Sequence, residues 1–391
     1  MTVALRIVLL GTMGQCPYGG PAWLTLGWLR GLQRLGHDVW YVEDDVAWPY
    51  DPERETVADD CSYAIRHVEG CLKAIGLEDR WAFRFVGRRD ATWGMSSPAL
   101  DRLYAECDVL VNVFGATVLR EEHMAAPVRV YLQTDPVTAE LRLANGDEKT
   151  RRSFARHHRI ATYGENYGAG DCDVPLNGCR YVLTRQPVDL ELWPMSWTPD
   201  AHWVTTIGNY RQEGSDVEWR GDVYRWSKHH EWDKFLDLPS VAGPVFELAL
   251  SIDADTDRDR LQTHSWRVVT PRRFSLDVFG AYRDYIRQSR AEFTVAKDQN
   301  IRLRSGWFSD RSACYLASGK PVITQDTGFS NVLPVGEGLF AVATPDEAAA
   351  AVETINADYR RHCGAARAIA SEYFEATRVA GRLLRDLGLT G

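Results

Sequence analysis

The chain reads as an α/β protein of two domains, and three observations carry that reading. Residues 4–11, ALRIVLLG, are a continuous apolar run of the kind found in strands buried on both faces, and they lead through a glycine-bearing loop into an amphipathic helix. After a proline-flanked stretch at 194–201 the pattern restarts with HWVTTIG at 202–208. Residues 291–333 then read as strand, helix and strand, a βαβ crossover, which implies parallel strands with ligands beyond their carboxyl ends.

Composition allows this. A length of 391 residues suffices for two cores, and 45% apolar with 25% charged residues is ordinary for a globular enzyme. The 14 Trp and 16 Tyr add slight weight to a carbohydrate or flat aromatic ligand. A formal charge of −9 argues against a nucleic-acid partner, which wants a basic face, but not against small anions that need only local positive charge. The eight cysteines show no CxxC pair and no zinc spacing, so they read as reduced thiols of a cytoplasmic protein. The apolar start is too short for a membrane span and lacks a cleavage pattern, which makes it a first strand and not a signal.

In the first domain, Leu24, Trp28, Leu32 and Leu35 form one stripe of a helix over 22–35 that Gly36 ends, and a strand returns at 38–43. Gly14, Gly19 and Gly20 do not make a GxGxxG fingerprint, and Glu43 is only loosely placed like a ribose-binding acid. Residues 49–100 show a helix near 59–75, a strand at 81–86 and a polar loop. Buried strands follow at 108–114 and 128–133, the second running into Thr134, Asp135 and Pro136. Residues 180–193 close the domain.

In the second domain, the 202–208 strand turns at Gly208, Asn209 and Tyr210, and an aromatic-rich segment ends in a helix stopped by Pro239. Strands are expected at 246–252 and 266–270, with Ser275 capping a helix to Ser289. In the crossover unit, a strand at 292–296 leads to a loop with Lys297, Arg302 and Arg304. Ser309 is a good N-cap, so the free N–H groups of Asp310, Arg311 and Ser312 would point with the positive helix end at the crevice, where a phosphate or diphosphate fits. Gly319 stops that helix, a strand follows at 321–324, and the turn Asp326, Thr327, Gly328 offers further amides. A late strand at 338–343 precedes Thr344-Pro345-Asp346-Glu347, a capping-box start, and the rest is helical to 387 with breaks.

The run RSACYLASGKPV, residues 311–322, resembles the donor-site signature of GT-B glycosyltransferases, especially the GT4-like "group 1" set, whose members carry Arg-x-x-Glu-Ala-x-Ala-x-Gly-x-Pro-Val or a close variant. Arg311, Ala317, Gly319, Pro321 and Val322 match. The family's glutamate, which binds ribose hydroxyls, falls on Cys314, whose thiol cannot do that work; Asp310, one turn earlier on the same face, is the stand-in. The resemblance implies two Rossmann-like domains, 1–194 on the acceptor side and 195–370 on the nucleotide-sugar side, with 371–391 as a helix crossing back to the first.

It further implies transfer of a sugar from a nucleotide-diphosphate sugar to a natural product, lipid or glycan, with no metal and no cofactor beyond that co-substrate. Donor contacts would come from Gly208, Asn209, Arg211, Lys228, Lys297, Arg302, Arg304, Ser309, Asp310, Arg311, Ser312, Thr327 and Gly328. Gly19 and Gly20 would line the acceptor side. Asp135, just past a parallel strand, is the leading catalytic or acceptor-orienting carboxylate, and His123 is a second candidate base. Other readings are a non-transferring relative such as a nucleotide-sugar epimerase, an NAD-dependent oxidoreductase built on the opening βαβ unit, and an inert binding protein on the same scaffold.

Overall fold

Two largely parallel sheets organise the chain in a computed structural model that describes residues 4–45, 48–86 and 91–389. The strands of the first half are β1 (Arg6–Leu10), β2 (Asp38–Asp45), a separate small hairpin of β3 (Tyr50–Asp51) and β4 (Thr56–Val57), then β5 (Trp81–Phe85), β6 (Thr92–Trp93), β7 (Val109–Val113), β8 (Val128–Gln133), β9 (Arg159–Thr162) and β10 (Tyr181–Leu183). The second half has β11 (Val204–Asn209), a hairpin of β12 (Val217–Trp219) and β13 (Asp222–Tyr224), then β14 (Phe246–Ser251), β15 (Arg267–Val269), β16 (Ala291–Thr294), β17 (Val322–Gln325) and β18 (Leu339–Val342).

The first sheet runs β10-β9-β8-β7-β1-β2-β5-β6, parallel except for the edge strand β6, and the second runs β15-β14-β11-β16-β17-β18, parallel throughout. In both, the chain winds outward on one side of its first strand and resumes on the other. Such doubly wound sheets open a crevice at the point where the strand order reverses, here between β1 and β7 and between β11 and β16. Their cores follow from the apolar runs: Ile7 to Leu10 are fully buried, and Ile7 stands opposite Val39 and Val109.

Between the sheets the chain crosses twice, and the crossings lie side by side. Val188 N–H donates to Phe374 O at 2.7 Å, and Ala376 N–H donates to Val188 O at 3.1 Å. The last helix, Ala376–Asp386, packs on the first helix, Gly19–Arg34. Glycines make this approach possible: a Cβ on Gly27 would lie 2.1 Å from Pro187 O, and one on Gly31 would lie 2.5 Å from Ala376 O. Trp23 Nε1–H also donates to Val278 O at 3.1 Å, which ties the same helix to the second half.

Several local expectations change. The first helix begins at Gly19, so Gly19 and Gly20 belong to its opening turn and not to the loop. Pro239 sits in the first turn of a new helix, Leu238–Ala242, instead of ending the previous one. Proline is tolerated there because that N–H has no helical partner to lose. Ser275 closes a short turn, Arg272–Ser275; the cap of the next helix is Asp277, whose carboxylate accepts from Gly280 N and Ala281 N. The loop after β16 coils into a short helix, Asp298–Arg302. The Thr344–Glu347 capping box forms as the sequence predicts. The polar loop expected after Val86 runs into residues 87–90, outside the described set. Among the described residues no helix is long and apolar enough to cross a membrane.

Gly27→Ala is expected to lower unfolding free energy by about 1–3 kcal/mol, the usual cost of overpacking a tight contact. Gly20→Ala, where a Cβ meets nothing within 4 Å, should leave stability unchanged or slightly raised. Denaturant unfolding of the two variants checks this.

Candidate active site between the two sheets

The site starts from a buried charge on the second sheet. Glu292 on β16 is fully buried, which is tolerable only if its carboxylate is answered. Arg311, in the first turn of the helix Asp310–Ala317, answers it: Nε–H donates to Glu292 Oε1 at 2.5 Å, Nη1–H to Ile207 O at 2.9 Å and Nη2–H to Thr294 Oγ1 at 2.7 Å. One guanidinium therefore ties the helix to the carboxyl ends of β11 and β16, at the switch point. Gly208 leaves room for it, since a Cβ there would lie 3.3 Å from Arg311 Nη1.

Above this pair is a cavity of about 200 Å³ into which Gly208, Asn209, Lys228, Lys297, Ser309 and Arg311 all face. Lys297 is buried and Lys228 half-buried. Burial, with Arg311 and Lys297 nearby, pushes the Lys228 ammonium down to about 7. Burial also lowers Lys297, and Asp135 opposes that shift. Aromatic faces cover both: the Lys297 Nζ lies 2.9 Å from the Trp226 ring centroid and the Lys228 Nζ 5.3 Å from that of Trp307. Ser309 makes no side-chain cap to its helix, and the buried hydroxyls of Ser312 and Thr206 have no partner. A cationic, under-satisfied cavity at a helix N-terminus suits an anion rich in acceptor oxygens.

The first sheet supplies the opposite wall. Asp135 follows β8, and its Oδ2 pairs with Lys297 while Oδ1 is buried without a partner. Two residues on, the backbone is unusual: Val137 has φ +89°, a conformation β-branched residues avoid. Val137 N–H is fixed by Glu140 Oε2 at 2.8 Å and by Tyr167 OH at 3.0 Å. Trp307 Nε1–H donates to Thr134 O at 3.0 Å, and Gln299 Nε2–H to Thr138 Oγ1 at 2.8 Å, so the two halves meet closely around Asp135. Asp310 has a buried, unpartnered Oδ1, and burial together with the Asp135 charge lifts its carboxyl to about 7.

The β12–β13 hairpin straps this gap. It grows from the second half after β11, yet Val217 and Tyr224 pack with Val137, Leu141, Tyr167 and Val174 of the first. Asn145 Nδ2–H donates to Glu218 O at 2.6 Å. Arg302 holds its near side through Val223 O at 2.9 Å and by lying 4.3 Å over the Tyr224 ring.

Other expected donor contacts are spent elsewhere. Arg302 belongs to the hairpin. Arg211 pairs with Asp257. Arg304 bridges Asp171 at 2.7 Å and Asp326 at 3.3 Å, beside a node in which Asn166 Nδ2–H donates to Arg304 O. Thr327 Oγ1–H donates to Trp307 O at 2.5 Å and Gly328 N–H donates to Asp326 Oδ1 at 2.9 Å, and neither residue lines the cavity. Gly19 lies against Tyr282, where a Cβ would come within 2.5 Å of the ring, and Gly20 has open space around it.

His123 is fully buried, accepts Arg120 N–H at Nδ1 and faces Asp44 at 3.1 Å through Nε2. Asp44, Glu122 and His123 are near enough to ligate a metal, but Arg84 and Arg120 already occupy the Asp44 oxygens, and the cluster is an internal ion-pair network. Cys314 lines a crevice with Trp23, Gly27, Pro187 and Trp193, so its position serves packing between the halves. Sequence reasoning missed Glu292, Trp226, Trp307 and Gln299; of these only the aromatic richness around Trp226 carried a signal.

No protein-family model and no curated protein sequence matches the chain. Solved structures do match. Anabaena HepE in complex with UDP and glucose aligns at TM-score 0.58 and 13% identity over 98% of this chain and 99% of that one. AviGT4, a glycosyltransferase involved in avilamycin A biosynthesis, aligns at TM-score 0.53 and 14% identity over 98% and 96%. An α-glucosyltransferase bound to UDP and a 13-mer DNA aligns at TM-score 0.58 and 8% identity over 98% and 99%.

The fold is GT-B. Within this GT-B frame the cavity lies on the second domain's side of the cleft, and Asp135 approaches it from the first. Removing one partner of a buried ion pair strands the other, so Arg311→Met should cost roughly 3–5 kcal/mol of stability. The double variant Glu292→Met/Arg311→Met should recover much of that loss. Urea unfolding of the single and double variants measures the difference.

Proposed function

We propose that this GT-B chain is a glycosyltransferase that moves a sugar from a nucleotide-diphosphate sugar to a hydroxyl-bearing acceptor, a natural product, lipid or glycan, with lysines in place of a tightly bound metal. The observation that carries the reading is the convergence of Lys228 and Lys297 on one cavity at the N-terminus of the Asp310–Ala317 helix, where, among the described residues, Lys228 has no carboxylate within ion-pair distance and Lys297 has only Asp135. A diphosphate supplies the missing charge. As the bond from the anomeric carbon to the leaving oxygen breaks, its electron pair goes to the diphosphate. Fixed ammonium groups and helix amides stabilise that developing charge without reorganising.

Asp135 is the proposed acceptor-side carboxylate. In the free protein Lys297 holds it. When the diphosphate engages Lys297, Asp135 is freed to take the proton of the acceptor hydroxyl while that oxygen bonds to the anomeric carbon. A cavity of about 200 Å³ is below the roughly 300–1,000 Å³ of ligand pockets, so donor entry parts the Asp135–Lys297 contact and lifts the hairpin beside it. Asp310 and Ser312 are donor-side groups, with Asp310 in the place of the family's glutamate. The eight free thiols fit a reducing compartment such as the cytoplasm.

An oxidoreductase reading loses its footing in the first loop. Gly14 and Gln15 amides, where a dinucleotide pyrophosphate would sit, both donate to Glu43. Burial raises that carboxyl to about 7, against the hydrogen bonds that hold it.

A thermal-shift panel of UDP, GDP and dTDP tests the proposal; HepE binds UDP, which makes UDP the first nucleotide to try. At least one should stabilise the protein. Lys228→Met and Lys297→Met should each weaken that nucleotide by about tenfold to a hundredfold, the worth of a charge-assisted bond. Lys228→Met should not lower the melting temperature of the free protein, because it removes a poorly solvated charge. Donor turnover that yields free nucleotide without a glycosylated acceptor, or interconverted sugar nucleotides, would favour the epimerase reading.

A further inference from the structure

A second concavity, of about 760 Å³, opens at the other end of the first sheet. Its walls come from the helix Glu148–Ala155, the start of β9 and the turn before β10. It shares no lining residue with the cavity between the sheets. Nothing in the transfer chemistry uses this groove.

Its charge is one-sided. Three arginines and two histidines face into it, Arg151, Arg159, Arg180, His157 and His158, and no carboxylate does. The chain as a whole carries 54 acidic residues against 45 Lys and Arg, so this is a local reversal of its character. Strand register makes the reversal tighter: Tyr181 pairs with Ile160, which sets Arg180 beside Arg159 at the sheet edge. Like charges directly opposite on neighbouring strands repel. Among the described residues neither Arg159 nor Arg180 has a carboxylate within ion-pair distance, and Arg151 has only the exposed Glu148 at 2.5 Å.

The floor is apolar, from Leu143, Phe154, Ala155 and Ile160. His157 does not supply charge: it is bonded to Ser153 O and Asn112, and burial lowers it to about 4. The volume falls within the roughly 300–1,000 Å³ of ligand sites. A ligand matching both features has an aliphatic body for the floor and an anionic head for guanidinium groups, which bind phosphate and carboxylate in a planar, two-pronged way.

We propose that this groove binds an anionic amphiphile, an alkyl chain bearing a phosphate or carboxylate. The head sits between Arg159 and Arg180, and the chain lies along Phe154 and Ile160. The site is independent of the nucleotide cavity.

Titration calorimetry of the full chain with dodecyl phosphate, dodecyl maltoside and methyl phosphate, below their aggregation concentrations, tests this. Dodecyl phosphate should bind saturably, and the neutral-headed chain and the chainless head at least about tenfold more weakly. Arg159→Glu/Arg180→Glu should weaken dodecyl phosphate by a similar factor, and Ala155→Trp, which fills the groove from an exposed position, should abolish it. Both variants should keep the wild-type nucleotide response, which also shows that they fold. Sedimentation with vesicles rich in anionic phospholipid separates the sources: co-sedimentation lost in the charge-reversed variant assigns the amphiphile to a membrane, and binding of the free compound alone assigns it to a soluble one. Equal affinity for phosphate and maltoside heads, or unchanged affinity in both variants, overturns the proposal.

Discussion

The buried pair of Glu292 and Arg311 is the fixed point of the second domain. A carboxylate on a central strand, sealed from water, would be costly alone; with Arg311 beside it, it anchors the helix Asp310–Ala317 onto the ends of β11 and β16. Three consequences follow. The helix N-terminus is aimed at the switch point, the guanidinium charge stays beneath the cavity, and three of its five N–H donors are already in use. The lysines that face the cavity are Lys297, which is paired with Asp135, and Lys228, which the pinned Arg311 helps to keep reluctant to hold its proton.

The second constraint is contact between the halves. The Asn145–Glu218 bond, the Thr134–Trp307 bond, the Arg304–Asp171 bridge and the glycine contacts of the first helix each join residues far apart in sequence. Together they bring Asp135 to Lys297, so a cation from one sheet neutralises a carboxylate from the other. Under the transferase proposal that pairing is what a diphosphate competes against, and binding and release of Asp135 become one event.

Much of the fold was legible because buried parallel strands leave unbroken apolar runs: 4–11, 108–114, 128–133 and 202–208 each hold a strand. Strand order was not visible, since it depends on pairing between distant segments. Helix starts were readable where the cap is a local bond, as at Thr344, and misread where two candidates stood close together, as with Ser275 and Asp277. In the site, Lys228, Lys297, Gly208 and Ser309 line one cavity. Arg211, Arg302 and Arg304 do not, because each is claimed by an acid or a carbonyl from another element, and charge alone does not show who claims it. Glu292 was unreadable for the opposite reason: inside a strand it looks like a surface residue until its partner is known. Cys314, the position that the sequence resemblance matches to the family's glutamate, lines a crevice with Trp23 and Trp193.

Under the transferase proposal Lys228 waits, largely uncharged above neutrality, for an anion. Its ammonium is depressed from the usual lysine value to about 7, and an adjacent diphosphate raises it again, so at pH 8 binding must draw a proton from solution. UDP itself is fully ionised there, since a phosphate's second pKa is near 6, so the proton goes to the protein. Calorimetry of UDP binding at pH 8 in buffers of different ionisation enthalpy counts that proton. The account predicts uptake approaching about one proton in the wild type and close to none in Lys228→Met. Binding of UDP with no buffer dependence, or equal uptake in the variant, would contradict it.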